Sequence, residues 1–184
     1  MPVAKGETLD PAATRAKILD TATRLFYERG TLAVGVNEVA EAAGVSKVTL
    51  YRHFENKDDL VAEFLRRRSD RVSAWLRDVS AEAQGPERVL ALFDALEQWF
   101  AEPAFKGCAL VNGAVESRGV EAAAREIAAQ HLERHLNLLR ELTGDEDVAR
   151  QLLLLVEGAT TVAFVKGDPH AARDARNVAA RLLQ

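Results

Sequence analysis

The chain has 184 residues, 48% apolar and 28% charged, enough to bury a substantial core in one or two small domains. Its net charge of −4 excludes a wholly basic protein that coats nucleic acid indiscriminately, while leaving room for a few cations grouped on one face. A single cysteine, Cys108, excludes an internal disulfide framework and fits a reducing cytosol. The opening MPVAKGETLD lacks an apolar signal segment, and no stretch is expected to reach the length of a membrane span. The longest apolar run, Leu152 to Val156, is short and is followed by Glu157. The expected location is therefore the cytoplasm, away from the membrane.

Residues 1–10 have little pattern and read as a loose arm. A first helix is expected from Asp10-Pro11, a cap followed by proline at the first helical position. Ile18, Ala22, Leu25 and Phe26 fall on one of its faces, and Gly30 ends it. A second helix covers about Asn37 to Ala43 and stops at Gly44, where the chain must enter the left-handed region. Ser46 then caps a short third helix that ends near His53. Val39, Ala40, Ala43, Val45, Val48 and Leu50 are small or branched, as two tightly crossing helices require. These features predict a helix-turn-helix within residues 11–56. Its second helix carries Lys47, Thr49, Arg52, His53 and the Tyr51 hydroxyl on the side not needed for packing. Donors, a methyl group and positive charge are what reading a major groove demands.

The ordered run Gly44-Val45-Ser46-Lys47-Val48-Thr49-Leu50-Tyr51-Arg52-His53-Phe54-Glu55-Asn56-Lys57 resembles the TetR (tetracycline-repressor-like) family. The motif region covers about a quarter of the chain. The resemblance implies DNA contacts from Ser46, Lys47, Thr49, Tyr51, His53 and Lys57, and the candidate set is completed by Arg52 on the same polar face and Asn37 at the start of the second helix. Within that set Thr49 and Lys47 read base edges, Tyr51, His53 and Lys57 hold phosphates, and Ser46 adds a phosphate contact to its capping role. Tyr51 and His53 also flank the core residues Leu50 and Phe54, so a structural part is the alternative. For Lys57 the alternative is a solvated surface lysine. Gly35 stands where the family usually has threonine, which removes one hydroxyl that could meet a phosphate.

Asn56 is expected to cap a long fourth helix, with Leu60, Val61, Phe64, Leu65, Arg68, Val72, Trp75, Leu76 and Val79 at three- and four-residue steps. Gln84-Gly85-Pro86 breaks the chain, and a fifth helix follows with Val89, Phe93, Leu96 and Phe100 on one stripe. A short helix in Gly107 to Asn112 comes next, in a block that resembles a segment found in one branch of the same family. Long helices are expected over about 120–142 and 147–166, and a last one starts at Gly167-Asp168-Pro169. The fold class is all-α with about nine helices, and residues 57–184 form a second domain for ligand binding and dimerisation.

The helix at 147–166 is apolar around most of its circumference, so it must be covered on more than one side. A two-fold interface is expected from Leu152, Leu155, Val156, Ala159, Val162, Ala163, Val178 and Leu182, and the family resemblance implies the same. The alternative is a fully internal helix of a monomer. A homodimer would place two recognition helices about 34–36 Å apart on palindromic DNA. A ligand that alters this spacing would release the operator by shifting populations.

The candidate walls of a ligand cavity are Trp75, Phe93, Leu96, Trp99, Phe100, Phe105, Cys108, Val111, Asn112, Ile127, His131 and His135, apolar groups with a few polar ones. Each aromatic has plain core as its alternative. His131 and His135 lie one turn apart and point inward or to an interface. Such a pair can hold a metal, but no further cysteine or carboxylate pattern supports one, and the arrangement His131-Leu132-Glu133-Arg134-His135 displaces the glutamate from the metalloprotease order. No metal and no cofactor are expected. Cys108 reads as an apolar filler, with a redox switch as the alternative. The expected partners are double-stranded DNA with a palindromic operator, a partly apolar small-molecule effector and a second copy of the chain. Neither a nucleophile–base pair nor a phosphate-cradling loop is present at recognisable spacing, so an enzyme is not expected. A helical adaptor that binds protein through the helix-turn-helix is the remaining alternative.

Overall fold

The computed structural model describes residues 10–116 and 122–184. Among these residues there are nine α-helices and no strand, so the all-α class holds. The chain divides into two compact units, one ending at Phe64 and the other beginning at Leu65. The first unit therefore runs past residue 56, where the sequence placed the boundary, because Leu60, Val61 and Phe64 belong to its core. The expected arm is outside the described residues except for Asp10.

In the first unit α1 spans Pro11–Arg29, α2 Val36–Ala42 and α3 Lys47–His53, and the first turns of α4, Lys57–Ala81, complete it. Asp10 Oδ1 accepts from the Ala12 amide at 3.0 Å and Pro11 opens α1, as expected. Ile18, Ala22, Phe26, Val39, Leu50, Phe54 and Phe64 fill the core, with the Phe26 and Phe64 rings 5.6 Å apart. Burying each of the larger side chains among these contributes about 1.5–3 kcal/mol. The end of α2 is closed by two backbone bonds, Gly44 N–H to Glu41 O and Val45 N–H to Ala40 O, each 2.9 Å. That pairing requires Gly44 at φ +65°, which glycine adopts without a steric penalty. Arg15 bonds Glu63 at 2.8 Å and lies 4.7 Å from the centre of the Phe54 ring, holding α1 against the start of α4.

The second unit holds the rest of α4 with α5 (Glu87–Phe100), α6 (Ala109–Glu116), α7 (Ala122–Thr143), α8 (Glu146–Lys166) and α9 (Ala171–Leu182). The short helix ends before Gly119 as expected but starts at Ala109, two residues after Gly107, and the Asn112 side-chain amide donates to the Lys106 carbonyl in the loop ahead of it. The expected start of α7 at residue 120 lies outside the described residues. Asp145 caps α8 through the amides of Asp147 and Val148, both at 2.9 Å. Arg140 reaches from α7 to Glu146 and ties that corner. Buried Val89, Phe93, Leu96, Leu139, Leu152, Val156 and Ala172 form the core.

Two expectations about α8 need correction. By length and mean hydropathy, 1.5, it is apolar enough to cross a membrane, contrary to the sequence reading. Inside the bundle its apolar character is used for packing against α5, α7 and α9. Second, Leu152, Val156, Ala159 and Ala163 are turned into the chain's own core, between 0 and 6% exposed, so they do not face a partner. Leu155 and Leu182 are half-buried, while Val162 and Val178 are exposed. The open apolar face carries Leu154 and Val165 instead, 73 and 75% exposed. Polarity could not separate the two faces, since both are aliphatic.

Candidate nucleic-acid interface and interior cavity

The helix-turn-helix presents its polar residues as one surface. Ser46 Oγ accepts from the Thr49 amide at 3.0 Å and shares a hydrogen bond of 2.8 Å with Thr49 Oγ1. The cap thus fixes both the first turn of α3 and the rotamer of Thr49. Asn37, Ser46, Lys47, Tyr51 and Arg52 are exposed, and Thr49, His53 and Lys57 are half-buried. The Lys47 ammonium lies 5.8 Å from the centre of the Tyr51 ring, which keeps it on the outer face. Leu50 and Phe54 are buried, so α3 is anchored by one stripe and displays the other. Val48 overturns its expected packing role, being 64% exposed among the polar residues. There it offers an apolar surface of the kind that meets a thymine methyl. Asn56 Oδ1 accepts from the Asp59 amide at 2.8 Å and Asp59 Oδ2 from the Glu55 amide at 3.2 Å, setting Lys57 at the start of α4.

Within the second unit a cavity of about 20 Å³ lies among α4, α5, α6, α7 and α8. Of the expected walls, Trp75, Leu96, Trp99, Cys108, His131 and His135 line it. Phe93 and Ile127 are buried elsewhere, and Val111 and Asn112 belong to α6 without reaching the lining. Phe100 and Phe105 stand behind Trp99, with ring centres 5.8 and 4.9 Å from it. Arg68, Val72, Leu76, Ala109, Leu110, Val156 and Glu157 complete the wall and were missed. The available signal was a lone arginine on the apolar stripe of α4 and a lone carboxylate inside the apolar run of α8.

The polar side of the cavity is ordered. Arg134 Nη1 donates to Ser69 Oγ at 3.2 Å, and Ser69 Oγ is 3.0 Å from His131 Nδ1. Ser69 Oγ thus links the Arg134 guanidinium to His131 Nδ1 and fixes the ring's orientation, leaving Nε2 on the cavity side. That nitrogen is 4.0 Å from Cys108 Sγ. Burial, with His135, Arg134 and Arg68 close by, pushes His131 down to about 3, keeping it neutral. Burial, with the Glu157 carboxylate adding, pushes the Cys108 thiol up to about 11. A thiol held protonated in this way is a poor nucleophile, which favours the filler role over a redox one. His135 stacks on His131 at 4.1 Å between ring centres, and its Nδ1 is 3.4 Å from Glu157 Oε1. That approach lacks hydrogen-bond alignment, so both ring nitrogens of buried His135 have no hydrogen-bond partner. Among the described residues no group of three His, Cys, Asp or Glu is placed to hold a metal.

Comparison with known proteins agrees with this arrangement. Residues 18–64 match the model of bacterial regulatory proteins of the tetR family, and residues 85–179 match a tetracycline-repressor-like C-terminal domain. The chain therefore belongs to the TetR family, a family of transcriptional regulators rather than of enzymes. Among curated relatives, the repressor KstR2 of Mycobacterium tuberculosis is 36% identical over 93 residues, 48% of this chain and 46% of its own length. The activator FasR of Mycolicibacterium smegmatis is 37% identical over 73 residues, 40% of this chain and 33% of its own length. The chain thus aligns with less than half of each of these relatives. Among solved structures, the TetR-family regulator SCO4454 of Streptomyces coelicolor superposes with a TM-score of 0.83 at 27% identity, covering 92% of this chain and 94% of that one. Reduced NemR of E. coli gives the same TM-score at 19% identity over 93% of this chain and 98% of its own, a likeness of fold alone.

Proposed function

We propose that the protein is a DNA-binding repressor that works in the cytoplasm, docks on a palindromic operator as a homodimer and is released by a small molecule. One observation carries the DNA part: the capped α3 turns Lys47, Val48, Tyr51 and Arg52 outward while Leu50 and Phe54 anchor it. Lys47, Val48 and Thr49 meet base edges. Tyr51, Arg52, His53 and Lys57 hold phosphates, and Asn37 and Ser46 contact the backbone from the start of α2 and the turn. The printed role of KstR2 as a repressor supports the sign of regulation.

The homodimer uses the open apolar row of α8 and α9, with Leu154, Val162, Val165 and Val178 taking the place of the residues that turned inward. Two copies supply the paired recognition helices that a palindrome needs. The interior cavity is the effector site, since it combines an indole wall with buried His135, whose two ring nitrogens have no hydrogen-bond partner.

The test is binding of purified protein to a fluorescent duplex from its own promoter across a salt series. Lys57→Ala is expected to weaken binding to every sequence and lower the salt slope by about one, whereas Lys47→Ala changes base preference. Unchanged binding in both variants would sink the assignment.

A further inference from the structure

We propose that the cavity is the inner end of a site for a flat, uncharged aromatic compound bearing a hydroxyl group, its ring against Trp75 and Trp99 and its hydroxyl on His135 and Glu157. This rests on reading the cavity as the effector site. Size gives the first argument. A cavity of about 20 Å³ holds about one water molecule. Beside it, between α4 and α5, lies an open groove of about 420 Å³ that shares Arg68, Val72, Trp75 and Trp99 as its wall. The two indoles meet edge to face with centres 6.0 Å apart, and both are half-buried. Side-chain rotation of these indoles joins groove to cavity, giving a slot bounded by aromatic faces and closed at its inner end by polar atoms.

Charge and hydrogen bonding supply the rest. The cavity wall carries one guanidinium, Arg68, and one carboxylate, Glu157, and the groove adds one more of each sign, Arg71 and Glu102. A charged ligand would be opposed by one of them in a site that water leaves, whereas a neutral polar group suits both. His135 keeps two unbonded ring nitrogens in a buried position, beside the Glu157 carboxylate. A hydroxyl offers one donor and two acceptor positions in a single small group, so it can donate to Glu157 and bond to His135 together. His131 Nε2, 4.0 Å from Cys108 Sγ, adds a further polar atom on the same side. An acceptor-only ether would leave Glu157 unmet, and a hydrocarbon would leave the whole polar end unmet.

The experiment uses the full chain and its own indoles. Trp75 and Trp99 are the two tryptophans in the sequence, and both line the site, so their emission reports occupancy. Four probes of one size are titrated: para-propylphenol, para-propylbenzoate, para-propylbenzylammonium and para-propylanisole. The phenol is expected to give a saturable change with a Kd at least about tenfold below the other three. His135→Phe and Glu157→Gln are each expected to remove most of the preference for phenol over anisole. Glu157→Gln keeps the side-chain shape and carries the test if His135→Phe does not fold. Anisole binding as well as phenol, tighter binding of either ion, no saturable change, or unaltered selectivity in the folded variants overturns the proposal. A parallel gel shift with the operator separates the readings. DNA binding without phenol binding defeats this inference alone, while phenol binding that leaves the DNA complex intact defeats the release step instead.

Discussion

Gly44 and His131 show how much one position can decide. Gly44 sits at φ +65° between the two helices that build the DNA-facing surface. A Cβ there would meet only the flexible Lys17 ammonium at 3.6 Å, so the cost of Gly44→Ala is conformational and not a matter of space. Denaturant unfolding should record a loss of about 1 kcal/mol, and no loss would show that the turn relaxes. His131 titrates far below an ordinary imidazole when folded, so the unfolded chain takes up protons first on acidification. Stability from this group is present above about 6.5 and drains away as pH falls toward about 3. Between neutral pH and about pH 5 the loss should reach about 2 kcal/mol. His131→Gln should lack it when midpoints are compared at both pH values, and equal losses in the two proteins would refute the assignment. Gly44 was legible in the sequence because the signal is local: a glycine after an alanine-rich run and before a capping serine. The partners of His131 were not, because Ser69, Arg134 and Cys108 come together only through tertiary packing.

At the scale of single elements α3 and α8 behave oppositely as sequences. One stripe of α3 is aliphatic or aromatic and the other is polar, so its orientation could be read in advance, apart from Val48. Along α8 both faces are aliphatic, and only the fold distinguishes Leu152, buried completely, from Leu154, 73% exposed. The two leucines give a paired prediction. Leu152→Ala should cost about 2–5 kcal/mol in thermal or denaturant unfolding, as a buried truncation does. Leu154→Glu should leave the unfolding of the isolated chain nearly unchanged, yet prevent self-association in sedimentation. Retention of the dimer by Leu154→Glu would move the interface elsewhere. Arg68 and Glu157 were hidden for a related reason: each sits on a helix long enough for a charged residue to read as ordinary surface, and packing folds both around the cavity.

For the whole molecule, the architecture divides labour between a unit that displays a rigid polar helix and a unit that encloses a small, polar-ended space. If two copies pair through the exposed aliphatic row as proposed, operator binding depends on protein concentration through mass action. Operator affinity measured against dilution should therefore steepen where the dimer dissociates, and Leu154→Glu should bind half-operators and full operators with equal strength. A wild-type preference for the full palindrome that survives in this variant would refute coupling between association and docking. Among the described residues the helices and their order were legible because most are bounded by a glycine, a proline or a capping side chain. The division at Phe64 was not, because it falls inside an unbroken helix with no glycine or proline to mark it.

The thiol of Cys108 turns the interior into a clock. It is the chain's single sulfhydryl, half-buried in the cavity wall and pushed up to about 11, so a maleimide or disulfide dye finds little thiolate to attack. Alkylation then quickens as this region opens, and a stopwatch together with a mass spectrometer follows that change.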